Sequence, residues 1–278
     1  MTQTKDQYFE RTKRNHYWIG GPETQLEISK LRVGVAGLGG MGSGVALALA
    51  RLGVTRFHLA DPDHVDVSNF NRQVIANTET VGLSKVQATV NELRKIDPNI
   101  EIQIFSEGIT KSSVKDFCHE RDVIVDEIDV YPLDAHELLH QEAVAKNLSL
   151  YSAYVIGLGI HLYRFSGEQF RFADFIRPVR ENSEFTSGLM DTFLRPRPNY
   201  LGELGYDGYH AQVKSGAVPI FGPSCLLGHS LVAMRVVLDW LSIRGASLPF
   251  EHKLTPVMPS FLVVDPIGMS MNIHTLEG

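Results

Sequence analysis

Between Leu31 and Gly53 the chain reads LRVGVAGLGGMGSGVALALARLG. An alternating apolar run breaks into a cluster of glycines and then into an Ala/Leu-rich stretch, the order strand, tight loop, helix. Gly37, Gly39 and Gly42 satisfy G-x-G-x-x-G, with Gly40 inside the pattern. Such glycines let the backbone turn and approach a phosphate, and the N-terminus of the following helix favours its negative charge. Asp61 stands 19 residues past Gly42, at the end of the next apolar run RFHLAD, where a carboxylate can accept hydrogen bonds from ribose hydroxyls. These features describe a nucleotide site and leave NAD and ATP equally open.

The segment after Asp61 separates the two. DPDHVDVSNFNRQV carries Asn69, Asn71, Arg72 and Gln73, and GLSK places Lys85 at the next helix. A dinucleotide needs its pyrophosphate covered, mostly by backbone amides, whereas a triphosphate calls for converging cations. Arg72 and Lys85 are candidates for that role, set against the usual fate of a lone cation on a solvated surface. Asp129 lies just beyond the apolar run VIVDE. The carboxyl ends of parallel strands face the ligand crevice, so a carboxylate there could hold Mg²⁺ against phosphate oxygens. Asp126 could serve instead, or could cap a turn.

Periodicity places strands over residues 31–36, 56–61, 101–105, 122–127 and 148–155, with helices over 42–52, 83–96, 111–120 and 132–146 between them. That alternation predicts a doubly wound, Rossmann-like, mainly parallel sheet with right-handed crossovers. After Gly157 the run GIHLYRF reads as an antiparallel strand, CLLGHSLVAMRVVLDWL as a helix and FLVVDPIGMSMNIH as terminal strands, so antiparallel strands extend the sheet in the C-terminal half. Residues 167–216 lack periodicity and read as an irregular crossover or flap. Residues 1–30 read as an arm or helix laid on a nucleotide-binding domain of residues 31–278, with Tyr8, Phe9, Trp18 and Ile19 as its apolar positions.

A net charge of −6 argues against a nucleic-acid surface. The N-terminal residues carry no apolar run of the signal-peptide kind. The late apolar stretch contains His229, Arg235 and Asp239, which fits a packed amphipathic helix better than a membrane span. Cys118 and Cys225 are the only cysteines of the 278 residues, too few for a disulfide framework. A cytoplasmic enzyme or binding protein is the expectation.

In their order and spacing, GLGGMGS, LADPDHVDVSNFNRQ, GLSK and VIVDEID resemble the ThiF/MoeB/HesA proteins, bacterial relatives of ubiquitin-activating enzymes. The likeness covers roughly residues 8–165, and the helix from Gly222 to Leu241 more loosely. It implies an ATP·Mg²⁺-dependent adenylyltransferase that activates a carboxylate, such as the C-terminus of a ubiquitin-like or sulfur-carrier protein, a peptide or a small acid. On the matching positions, the resemblance puts the phosphates on the Gly37–Gly42 loop, Asn69, Arg72 and Lys85, the ribose on Asp61 and the Mg²⁺ on Asp129. ERTKRN is similar to the family's arm that reaches the nucleotide of a partner subunit, which makes Arg14 a candidate contact in trans and implies a homodimer.

The chain also departs from that pattern. Many relatives bind a structural zinc through two C-x-x-C pairs, and two isolated cysteines cannot supply such a site, so no structural zinc is expected. Residues 160–217 hold no cysteine to carry an acyl group or sulfur onward, which leaves simple adenylation or direct attack on the acyl-adenylate. These losses keep a second reading open, a catalytically reduced module that uses the fold for binding or dimerisation. Cys225, in FGPSCLLGH, is expected at a helix N-terminus, where the dipole can lower a thiol pKa, although its small apolar neighbours favour packing. Cys118 reads as a packed helix residue. HELLH at residues 136–140 matches the zinc-peptidase string H-E-x-x-H, but no further ligand motif follows, and His136 and His140 are expected on a solvated helix face. His58 and His64 read as surface or satisfied core residues.

Overall fold

A computed structural model describes residues 5–203, 205–216 and 218–276. Helices α1 (Lys5–Ile19) and α2 (Pro22–Ile28) lead into β1 (Arg32–Ala36), α3 (Gly42–Leu52), β2 (Arg56–Ala60), α4 (Lys85–Ile96), β3 (Glu101–Phe105), α5 (Val114–Phe117), β4 (Val123–Asp126), α6 (Leu133–Ala145) and β5 (Ser149–Ile156). The chain then turns into β6 (Gly159–Phe165) and runs through α7 (Phe172–Phe175), α8 (Arg177–Glu181), α9 (Phe185–Phe193), α10 (Tyr200–Glu203) and α11 (Tyr206–Lys214). It ends with α12 (Gly222–Ile243), β7 (Ser260–Asp265) and β8 (Ser270–Thr275).

All eight strands form one sheet in the order β3-β2-β1-β4-β5-β6-β7-β8. The first five are parallel, with Val33 opposite Phe57 on one side and Val123 on the other. The last three are antiparallel to their neighbours, as the alternation predicted. Central strands covered on both faces need apolar residues at successive positions, and Val33, Val35 and Ala36 of β1 are fully buried. One core fills the face under α3, α4 and α12, and a second fills the face under α5, α6 and the α7–α9 segment.

Two expectations about the outer segments need correction. The N-terminal helix does pack on the body through Tyr8, Thr12 and Ile19, but Trp18 is 66% exposed, because it falls on the outer face of α1. Residues 167–216 are not irregular but largely helical: Pro and Gly cut the segment into pieces of four to nine residues, too short to show a period. Their apolar residues Phe172, Phe175, Leu189 and Phe193 join the second core. Helix α12 is long and apolar enough to cross a membrane, but over half of its most apolar window is buried inside the fold.

Candidate active site

In a doubly wound sheet the ligand crevice opens at the carboxyl ends of the strands, where strand order reverses; here that point lies between β1 and β4. Hydrogen bonds set the three strand exits side by side: Gly37 N–H donates to the Ala60 carbonyl (2.8 Å), Glu127 N–H to that of Ala36 (2.8 Å) and Asp61 N–H to that of Phe105 (3.4 Å). A cavity of about 750 Å³ opens there, within the roughly 300–1,000 Å³ of small-molecule sites. Gly37, Gly39, Gly40, Asp61, Asn69, Arg72, Lys85 and Asp129 all line it.

The glycines are required by contact. Gly37 has φ +82°, and a Cβ there would lie 2.2 Å from the Glu127 carbonyl oxygen. A Cβ on Gly42 would lie 1.8 Å from the Gly37 carbonyl oxygen. Gly42 is buried behind the loop and does not border the cavity, so it shapes the loop instead of forming its wall.

Asp61 is buried, and its carboxylate holds the loop. Oδ2 accepts from Leu38 N–H at 2.6 Å and Oδ1 from Asp63 N–H at 2.8 Å. Burial raises its pKa, opposed by the charge of Lys85 and by these two donors. Each oxygen keeps a lone pair for a further donor. Lys85 begins α4, which Ser84 caps, and its buried Nζ lies 2.8 Å from the Asp63 carboxylate at the cavity wall. Arg72 Nη1 donates to the Ser68 carbonyl (3.0 Å) and to Asn71 Oδ1 (2.9 Å). Buried Asn69 accepts from Asp66 N–H through Oδ1 (3.0 Å), closing a capping box. Both cations are therefore held at the wall by neighbours, Lys85 buried and Arg72 half-exposed.

Asp129 is exposed at the rim, and its carboxylate has no hydrogen-bond partner among the described residues. A carboxylate left unengaged on the wall of a phosphate-type loop fits a hard cation such as Mg²⁺. Arg14 is exposed on α1, which is tied to the far end of α3 by Tyr8 Oη to the Gly53 carbonyl (3.1 Å) and Arg11 to that of Ala50 (2.7 Å). The fold does not bring Arg14 to the cavity of its own chain.

The HELLH histidines are not on a solvated face. His136 and His140 are buried and both meet Oδ2 of the fully buried Asp126, at 2.7 and 3.0 Å. His136 Nε2 faces the Asp129 carbonyl at 2.9 Å. Carboxylate and carbonyl only accept, so both ring nitrogens of His136 carry protons and the ring is an imidazolium. The shifts agree: the two histidines hold Asp126 below the usual carboxylate range against the cost of its burial, and Asp126 raises His136 against its own burial, while burial lowers His140. Both rings pack on Phe172. The intervening Glu137 turns outward to Arg180. Asp126 is thus committed inside the fold, so of the two candidates after β4 for a cation, Asp129 is the one that borders the cavity. His58 is a satisfied core residue, with Nδ1 2.8 Å from the Phe117 carbonyl, and His64 is exposed.

Cys225 does lie in the first turn of α12 and borders the cavity, but burial pushes its thiol up to about 11, outweighing the nearby Arg72 charge. The packing role favoured from its small apolar neighbours fits this burial, because desolvation of the thiolate outweighs the helix N-terminus. Cys118 is buried, with its thiol pushed up to about 12. Sequence reasoning missed Glu127, whose buried carboxyl borders the cavity, accepts from Ala153 N–H (3.2 Å) and is raised well above its ordinary range by burial and by Asp126. It also missed the link from His229 of α12 to the Gly40 carbonyl. Neither carries a local signal, since both depend on contacts across the sheet.

The fold and site define a doubly wound α/β protein with a glycine-loop cavity at its topological switch point. The ThiF family matches residues 12–204, and the chain belongs to it. Relatives include the sulfur carrier protein ThiS adenylyltransferase of Escherichia coli, 32% identical over 135 residues (49% of this chain, 53% of that protein). The SAMP-activating enzyme E1 of Haloferax volcanii is 33% identical over 112 residues (40% of this chain, 42% of that protein). The chain thus spans about half or less of the length of these relatives. Among solved structures, PaaA matches 99% of this chain and 75% of its own, with a TM-score of 0.69 at 19% identity. Escherichia coli MccB with AMPCPP and MccA matches 98% and 72%, also with a TM-score of 0.69, at 18% identity. These likenesses establish the shared fold.

Proposed function

We propose that this chain is an ATP-dependent adenylyltransferase, activating a carboxylate as an acyl-adenylate with release of pyrophosphate. The observation that carries this reading is the convergence of Gly37, Gly39, Gly40, Asp61, Asn69, Arg72, Lys85 and Asp129 on one cavity. It is supported by relatives named as adenylyltransferases. Asp61 receives the ribose hydroxyls, and the glycine loop with Asn69, Arg72 and Lys85 receives the phosphates. The substrate carboxylate, ionised near pH 7, attacks the α-phosphorus without a general base. The bond to the bridging oxygen breaks, and its electron pair leaves with pyrophosphate. Arg72 and Lys85, already fixed at the wall, stabilise the charge that grows on the leaving oxygens with little reorganisation. Asp129 would hold Mg²⁺, which neutralises phosphate charge when bound.

The chain works in this reading as a cytoplasmic homodimer in which Arg14 reaches the partner's nucleotide, consistent with its exposure on α1 away from its own cavity. The acceptor is a carboxylate-bearing molecule: a ubiquitin-like protein, a peptide or a small acid. Carboxylate-dependent exchange of pyrophosphate into ATP tests the proposal. A binding or dimerisation module gives no exchange with any acid, and a dehydrogenase binds NAD in place of ATP.

A further inference from the structure

The strand order divides the cavity. Asp61 and the Gly108–Ile109 wall follow β2 and β3 on one side of the glycine loop, while Asp129 follows β4 and Tyr154 lies in β5 on the other. A nucleotide with its phosphates on the loop and its ribose at Asp61 extends toward β3. The β5 side is then left to the acid. That side is a recess of different chemistry. Leu189, Met190 and Phe193 of α9, Tyr209 and Val213 of α11, and Tyr154 of β5 line it. The Phe193 ring packs on that of Tyr154 at 4.5 Å between centroids.

Resting on the adenylation reading, we propose that the acid activated here carries a bulky, largely apolar or aromatic side chain next to its carboxylate, seated between β5 and α9/α11. A glycine-glycine tail has no side chain to displace water from these walls. A pocket of this kind distinguishes acids by roughly 10–200-fold per methylene it buries.

The test uses non-hydrolysable acyl-adenylate mimics on the full chain: 5′-sulfamoyladenosine alone and its glycylglycyl, leucyl and N-acetylphenylalanyl derivatives. We expect the leucyl or N-acetylphenylalanyl compound to bind at least tenfold more tightly than the glycylglycyl one. That ratio should shrink to below threefold in Phe193→Ala and in Tyr209→Ala, two variants that each remove part of the recess. Equal or tighter binding of the glycylglycyl compound overturns the inference and leaves adenylation standing. If no compound binds, 5′-sulfamoyladenosine included, the adenylation reading itself falls and takes the inference with it.

Discussion

His229 donates its Nε2 proton to the main-chain carbonyl of Gly40 in the glycine loop. The same ring lies against Gly44, where a Cβ would come within 2.0 Å of Nδ1. One histidine in the apolar helix α12 therefore sets both the close approach of α3 and the shape of the loop. In His229→Ala the carbonyl loses its donor, at a cost of about 1–3 kcal/mol. Urea denaturation should show that loss, and calorimetry should show ATP·Mg²⁺ binding weakened by about tenfold, equivalent to ~1.4 kcal/mol.

Arg72→Ala and Lys85→Ala should each weaken ATP·Mg²⁺ and slow pyrophosphate exchange by roughly 10²–10³-fold, the scale of losing one fixed donor to developing charge. Asp61→Ala should be as severe for a double reason, since it removes the ribose contact and also frees Leu38 N–H of the loop. NAD binding with no ATP binding in calorimetry would sink the adenylation reading.

Asp126→Asn should leave the His136 imidazolium buried beside a neutral amide. Removing one partner of a buried pair costs about 3–5 kcal/mol, so a large fall in denaturation midpoint is expected. The His136 bond to the Asp129 carbonyl should loosen with it, and the apparent KM for ATP·Mg²⁺ should rise.

Acidification should destabilise the fold. Burial lowers the pKa of His58, His140, His161 and His229, that of His161 to about 3, while Asp126 raises that of His136. Below about pH 6.5 the unfolded chain binds protons that the four neutral rings refuse, so stability falls by up to ~1.4 kcal/mol per pH unit for each. For His161 that slope persists down to about pH 3. His136 acts oppositely: its contribution is full below the ordinary histidine pKa and is lost as pH rises through its raised value. His136 and the raised carboxyls of Asp61 and Glu127 oppose the trend, but the four lowered rings outnumber them, so stability should fall from pH 7 to pH 5 in urea titrations. The slope should be shallower in His161→Gln; in the folded chain His161 faces Tyr163 and His274.

The Cys225 thiol, with its pKa pushed up to about 11, is almost fully protonated at neutral pH. Cys225→Ala should retain pyrophosphate exchange, and alkylation of Cys225 should require denaturant. An acyl group trapped on Cys225 would contradict both expectations.

The parallel half of the sheet was legible because its signals are local. β1, the glycine loop and α3 announce themselves within 22 residues (Leu31–Leu52), and Asp61, Arg72 and Lys85 follow at spacings set by the same strands. What escaped is non-local. The burial of His136 and His140 depends on Asp126, 10 and 14 residues earlier in the chain, and on Phe172 beyond β6. The helical character of residues 172–214 comes from packing of short pieces on the second core, each of four to nine residues and too brief to be told from a loop by its pattern. The helix expected over 111–120 shrinks to Val114–Phe117, with Ser113 and Thr110 tied to each other before it.

The recess residues of α9 and α11 all belong to one uninterrupted stretch between Phe165 and Gly222, whereas every candidate nucleotide contact on the cavity wall comes from residues before β5. Phe165 closes a strand paired to β5, and Gly222 packs directly on the carbonyl of Asn71. One end of the stretch is thus pinned to the sheet and the other to the loop that carries Arg72. If the recess selects the acid as proposed, the stretch is an exchangeable cassette, and grafting it between homologous chains should transfer the taste for an acid while the nucleotide machinery stays as it was.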